Sequence, residues 1–326
     1  MKSVTRPATG LLLVLAACGC SRSGPATSAS PAAASPRRGT IAVSVLTLTN
    51  PFFKVIADTM REEASAAGYE LLAVSGEYDV AKQQNQVKDF IVRKVSAIVL
   101  TPCDSKAIGP AIREANEAGI PVFTADIASL DPGAKVISHV ATDNYQGGRL
   151  AAEALVEAIG GKGQVAIIDH PEVESVKLRT KGFTEAIAEA NRRPGVKVEI
   201  VTVLPGGGVR EKSYKVAQDI LQAHRDLKGF FAINDPSALG AVAALEESGK
   251  GQAVKVVGFD GQPEGRQAIK NGKIYADPIQ FPDRIGRETV KTIVRYLSGE
   301  EVSPQVLVPS ALYGKQDAAK DPTLAP

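Results

Sequence analysis

Short apolar runs rich in Val, Ile and Ala alternate with segments of helical period from residue 39 onwards, and this alternation is what most restricts the fold. The runs at 41–46, 69–74, 97–100, 121–124, 135–140, 164–168, 197–203, 229–233, 254–257 and 274–279 read as strands. Several lack a strict apolar–polar alternation, as expected of strands covered on both faces in a parallel sheet. Between the first two, Phe53, Ile56, Met60, Ala64 and Ala67 fall on one helical stripe. Asn50 can cap that helix, Pro51 suits its first turn and Gly68 its exit. The stripe Ile108, Ala111, Ile112, Ala115 before Gly119 repeats the design, as does Ile285, Val290, Ile293, Leu297. Regular β–α alternation predicts doubly wound α/β layers. Ten strands are many for one open sheet, so two sheets are expected. In such sheets ligands bind beyond the carboxyl ends of the strands.

The N-terminus fixes the compartment. A basic start (Lys2, Arg6) precedes an apolar stretch at 11–17, then Ala16-Ala17-Cys18. This is the layout of an export signal, and the small residues before the cysteine resemble a bacterial lipoprotein signal. The resemblance implies removal of residues 1–17 and several acyl chains on Cys18, since one chain alone anchors only reversibly. Seven apolar residues are too few to span a bilayer, which takes about 20. The alternatives are a plain secretory signal with an incidental cysteine, or a buried helix. Residues 18–38 are rich in Ser, Pro and Ala and read as a flexible tether. The expected location is the periplasm or cell surface, lipid-anchored to a bacterial membrane.

Charge and cysteines narrow the function. Of 38 basic residues two leave with the signal, so 36 face 36 acidic ones and the mature chain is neutral. A nucleic-acid partner would need a basic face. Beyond Cys18 and Cys20 only Cys103 remains, too few for a disulfide framework or zinc cluster, and it reads as a small buried residue. His139, His170 and His224 have no metal-ligand spacing and read as structural or surface residues. His170 is the least secure of them, because it follows a strand that can reach a cleft. No Walker loop occurs, and Gly206-Gly207-Gly208 lacks dinucleotide spacing. No cofactor or metal is expected.

Six strand ends carry conspicuous side chains: Asn50-Pro51-Phe52-Phe53, Thr101-Pro102-Cys103-Asp104-Ser105, Asp126, Asn234-Asp235, Asp260-Gly261 and Gln280. Short polar groups with a few aromatics suit a neutral, hydroxyl-rich ligand, because carboxylates accept from hydroxyls, amides do both, and ring faces cover C–H faces. Each also has an ordinary reading. Asn50 and Ser105 can be helix caps, Asp235 before Pro236 a cap that leaves Asn234 as the contact, Phe53 core, and Asp260-Gly261 a turn.

In that order, and over about residues 40 to 315, the chain resembles the periplasmic ribose-binding proteins. The resemblance is carried by Asn50-Pro51-Phe52-Phe53, Asp126, Arg179 in Arg179-Thr180-Lys181-Gly182-Phe183, and Phe231-Ala232-Ile233-Asn234-Asp235. Val257-Gly258-Phe259-Asp260-Gly261 and Gln280-Phe281-Pro282-Asp283 extend it. It implies two Rossmann-like lobes with parallel sheets, joined by three hinge crossings near Thr142-Asp143, Gln280-Phe281 and Pro309-Ser310. The first lobe would take 39–142 and 281–309, the second 143–280 and 310–318. It further implies sugar contacts from Asn50, Phe52, Phe53 and Asp126 in the first lobe, Arg179, Asn234 and Asp260 in the second, and Gln280 at the hinge.

Three positions depart from the family. Ile127 stands where the ribose binders have Arg, Thr101 where they have Asn, and the second-lobe aromatic falls within Gly206-Gly207-Gly208. These point to a small sugar or polyol other than ribose. The expected function is a monomeric substrate-binding lipoprotein of a sugar ABC importer, delivering its ligand to a membrane permease and not acting as an enzyme. An exported sensor input and an α/β enzyme are the alternatives. Arg179 beside Asp126 and Asp260 is expected to keep both ionised, which argues against acid catalysis.

Overall fold

The computed structural model describes residues 38–324. The expected export signal, Cys18 and the expected tether up to residue 37 lie outside the described residues.

In chain order the first half comprises β1 (Gly39–Val45), α1 (Pro51–Ala66), β2 (Tyr69–Ser75), α2 (Val80–Val92), β3 (Ala97–Leu100), α3 (Gly109–Glu117), β4 (Val122–Ala125) and β5 (His139–Thr142). There follow α4 (Asn144–Ala158), β6 (Lys162–Asp169), α5 (Glu174–Ala190), β7 (Lys197–Pro205), α6 (Arg210–Ala223), β8 (Leu227–Ala232), α7 (Asp235–Glu247), β9 (Lys255–Val257), α8 (Pro263–Lys270) and β10 (Ala276–Ile279). The chain closes with α9 (Pro282–Leu297), β11 (Gln305–Val308), β12 (Ala311–Gly314) and α10 (Lys315–Lys320). Two six-stranded sheets result, in the orders β11-β5-β4-β3-β1-β2 and β12-β10-β9-β8-β6-β7.

Burial explains why the strands read as near-continuous apolar runs. Ile41, Val43, Val99 and Phe123 face α1 and α9, against Ile56, Met60, Ile285 and Ile293. Their neighbours Ala42, Ile98, Leu100 and Val122 face α2 and α3, against Val87, Phe90, Ile112 and Ala115. The second sheet repeats this: Val165, Ile167 and Phe231 meet Leu155, Phe183 and Ile187, while Ala166, Ile168 and Phe230 meet Ala217, Ile220 and Leu245. Both faces are therefore dry, as a doubly wound sheet requires.

The chain passes between the lobes three times, after β5, after β10 and between β11 and β12. The passages lie side by side. Asp143 N donates to Val308 O at 2.8 Å, Ser310 Oγ donates to Ile279 O at 2.8 Å, and the Gln146 amide brackets the backbone of Ser310 at 2.9 and 3.1 Å.

One strand expectation is corrected. The strand expected at 135–140 begins only at His139, because Asp131 turns the chain by accepting from Gly133 N, and Lys135 N is taken by Asn116 Oδ1. The sheets are parallel as expected, with one edge strand as the exception. β12 runs antiparallel to β10, because β11 arrives at the crossing and the chain continues away from it, while the other strands of that sheet point towards it. β11 and β12 are four-residue edge strands absent from the sequence reading, and they leave Leu307 and Leu312 exposed.

Candidate functional site

The strands of both lobes end at one cleft. Asp126 follows β4 and Asp260 follows β9; each is buried, and each adopts a left-handed backbone, with φ of 65° and 99°. That conformation is strained for a residue with a Cβ, and such strain concentrates where geometry serves a ligand. Backbone bonds hold it: Asp126 N donates to Val140 O at 2.8 Å and Asp260 N to Pro278 O at 3.1 Å.

Arg179 enters from α5, which lies against α4 with almost no separation. A Cβ on Gly148 would meet Arg179 O at 2.1 Å, and one on Gly182 would meet Tyr145 O at 2.2 Å. The two glycines thus set the helix spacing that brings the guanidinium to the cleft. Its Nε donates to Asn144 Oδ1 at 2.8 Å and its Nη1 to Ile233 O at 2.6 Å and Asp260 Oδ1 at 3.1 Å, while its plane lies 3.9 Å from the Phe259 ring centre. Gln280 Nε2, at the hinge, donates to the same Asp260 oxygen at 2.6 Å, and Gln262 Nε2 to the other at 3.1 Å.

Asn50 caps α1 by accepting from Phe52 N at 2.9 Å, and Phe52 and Phe53 meet edge to face at 5.2 Å. Asn234 caps α7, its Oδ1 accepting from Ser237 N and its Nδ2 donating to Gly208 O at 3.0 Å. Asp235 is therefore not the cap. It is buried and accepts from Gln262 N.

Asn50, Phe52, Phe53, Asp126, Arg179, Asn234, Asp260 and Gln280 line one small cavity between the strand ends. Thr101 does not. Its N and O are used beneath the floor by Ser44 O and Gln83 Nε2, and its hydroxyl is buried without a partner. Ile127, read as a departure from the ribose binders, is on the wall. So are Leu46, Tyr78, His170, Val173, Ser175, Val176, Gly208 and Ile233. Val176 could have been found from Arg179, because residues three apart share a helix face. Tyr78 follows β2, so the strand-end rule covers it too.

Burial opposes Arg179 at both carboxyls. Desolvation pushes Asp126 up to about 7 against the pull of Arg179, and it raises Asp260 against Arg179, Gln280 and Gln262. For Asp126 this corrects the expectation that the guanidinium keeps both ionised, whereas Asp260 stays paired with Arg179. Cys103 is buried and its thiol is pushed up to about 12, as for an inert core residue.

The lobes touch beside the cavity. Ser105, expected as a local cap, instead crosses the cleft: its N donates to Glu172 O at 3.1 Å and its Oγ accepts from Glu174 N at 2.9 Å, capping α5. The local turn is made by Asp104, whose Oδ1 accepts from Lys106 N and Ala107 N. The cleft is closed.

Two parallel-sheet lobes on three crossings, closed over a buried polar cavity at their strand ends, define a two-lobed solute-binding protein. The family model described as a periplasmic binding protein domain matches residues 41–301, and the chain belongs to the periplasmic binding protein family, whose members work outside the cytoplasm. It is 36% identical to the ribose import binding protein RbsB of Escherichia coli over 280 residues, 86% of this chain and 92% of the relative. It is 34% identical to the D-apiose import binding protein of Paraburkholderia graminis, covering 86% and 88%. An ABC transporter periplasmic solute-binding protein of Actinobacillus succinogenes, solved with bound D-allose, superposes with a TM-score of 0.79 at 30% identity, covering 86% and 99%. These relatives are transport proteins, not enzymes.

Proposed function

We propose that the protein is the lipid-anchored receptor of a sugar ABC importer, taking a small monosaccharide or polyol into its cleft and presenting the closed form to a permease. The observation that carries this is a pair of buried oxygens of cavity-lining residues, Asp126 Oδ1 and Gln280 Oε1, that have no hydrogen-bond partner. An unpaired buried acceptor costs about 1–3 kcal/mol, so the cavity calls for a guest that donates hydrogen bonds. Among the described residues that line the cavity, Arg179 is the one Arg or Lys and is already paired with Asp260, which favours a neutral polyhydroxylated guest over an anionic one. The ligands named for the relatives, ribose, D-apiose and D-allose, are of that kind.

Asn50, Phe52, Phe53 and Asp126 would hold the sugar from the first lobe, Arg179, Asn234 and Asp260 from the second, and Gln280 from the hinge. The lobes would divide at 142/143, 280/281 and 309/310. Ile127 presents no donor where a guanidinium would offer several, which favours a sugar other than ribose.

Calorimetric titration against pentoses, hexoses and polyols tests the reading. Binding of one neutral sugar or polyol supports it, and absence of heat with all of them overturns it. For the anchor, Cys18→Ala is expected to move the protein from the membrane fraction to the soluble one; retention at the membrane refutes lipidation at that residue.

A further inference from the structure

The wall of the cavity contributed by the second lobe contains a group that the contacts above do not use. His170 follows β6 and lines the cavity beside Gly208 and Asn234. A Cβ built on Gly208 would point between two nitrogens, 3.2 Å from His170 Nδ1 and 3.2 Å from Asn234 Nδ2. Glycine at 208 answers two demands, a φ of +69° and the absence of a Cβ, which would press on both nitrogens and cover them.

The hydrogen-bonding state of both groups follows from their neighbours. Ser237 N requires an acceptor and Gly208 O a donor, which fixes the Asn234 amide with Nδ2 towards Gly208. That nitrogen carries two hydrogens and spends one on Gly208 O, so one is left. His170 Nε2 faces Glu172 Oε2 at 3.4 Å. An ionised carboxylate only accepts, so the proton of a neutral imidazole belongs on Nε2 and the Nδ1 lone pair faces the space over Gly208. Burial lowers the imidazole pKa and favours the neutral form. The charged groups facing the ring are Asp169 and Glu172 beside it in the chain, Lys212 from α6, and Asp104 from the first lobe.

We propose that His170 Nδ1 and Asn234 Nδ2 form a subsite over Gly208 for one ligand hydroxyl, which donates to the imidazole and accepts from the amide. His170 is then a specificity-determining residue. The inference rests on the reading of the cleft as a sugar site, and its test separates the two.

Binding of D-ribose, D-allose and their monodeoxy analogues is measured calorimetrically for the wild type and for His170→Phe, which keeps a ring but removes the acceptor. The wild type is expected to lose at least about tenfold in affinity for one deoxy analogue, the size expected for unpairing a buried group. The variant is expected to bind the parent sugar more weakly and to lose that discrimination. His170→Asn, whose side-chain amide can place an acceptor near the Nδ1 position, should restore part of it, and it serves if the phenylalanine variant does not fold. Protonation of Nδ1 removes the acceptor, so on acidification below the ordinary imidazole range wild-type affinity should fall more steeply than that of His170→Phe. Asp126 titrates in both proteins, and the difference therefore belongs to His170. A variant that binds and discriminates like the wild type, with the same pH profile, overturns the subsite while leaving the receptor reading intact. A wild type that binds none of the pentoses, hexoses and polyols overturns both.

Discussion

Asp260 is the most heavily engaged group in the cleft, receiving Arg179, Gln280 and Gln262 on its two oxygens. Removing the side chain would leave a buried guanidinium unpaired, which costs about 3–5 kcal/mol and would confound folding with binding. Asp260→Asn is the cleaner test, since its Oδ1 can still accept. Loss of the charge-assisted bonds should weaken sugar binding by about tenfold or more while a folded protein is retained. Unchanged affinity would remove Asp260 from the site. Most of the cleft was legible because strand ends are where an α/β sheet exposes side chains. The residues missed show why the rest was not. Thr101 ends a strand as Asp126 does, yet its backbone is used by Ser44 and Gln83 and it lies beneath the floor. Ser105 satisfies a helix across the cleft rather than its own, and no local pattern reveals a partner 69 residues away.

At the scale of elements, β10 carries a feature that its sequence does not announce. Asp277 is fully buried on that strand opposite Asp235 at the start of α7, with Gly258 and Gly265 leaving room for the two carboxyls. Neither Asp277 oxygen has a conventional hydrogen-bond donor. Desolvation pushes Asp277 up to about 6, and desolvation with the charge of Asp277 raises Asp235 further, so the pair holds a proton near neutrality. The sign follows directly. A carboxyl raised in the folded state stabilises it below the unfolded value near 4, and that contribution is lost as pH rises through about 6. Asp277→Asn supplies a permanent donor to Asp235. It should raise the thermal midpoint at pH 7.5 by about 2–4 °C, the equivalent of ~1 kcal/mol, and flatten the fall in stability between pH 4 and 6. A lower midpoint in thermal scans at pH 7.5 would refute the shared proton. Elements with a buried stripe, such as α1 and α9, were legible from periodicity. The edge strands β11 and β12 were not, because half-exposed four-residue strands carry too few apolar residues to stand out.

For the whole molecule, the closed cleft without a guest is the expensive state. Asp126 Oδ1 and Gln280 Oε1 are buried without partners, and at about 1–3 kcal/mol each they oppose closure. The interlobe bonds of Ser105 to Glu172 and Glu174 favour it, but each contributes only about 1 kcal/mol net. On that balance an open form is expected to be favoured without ligand. A sugar that donates to both acceptors removes the penalty and shifts the population. Scattering from the ligand-free protein should accordingly show a larger radius of gyration than with saturating sugar. Ser105→Ala should leave the liganded radius unchanged and weaken affinity about fivefold, because it destabilises the closed form alone by ~1 kcal/mol. A radius that does not respond to saturating sugar would mean that the lobes do not move, and the unpaired acceptors would then need another explanation than a guest that completes them.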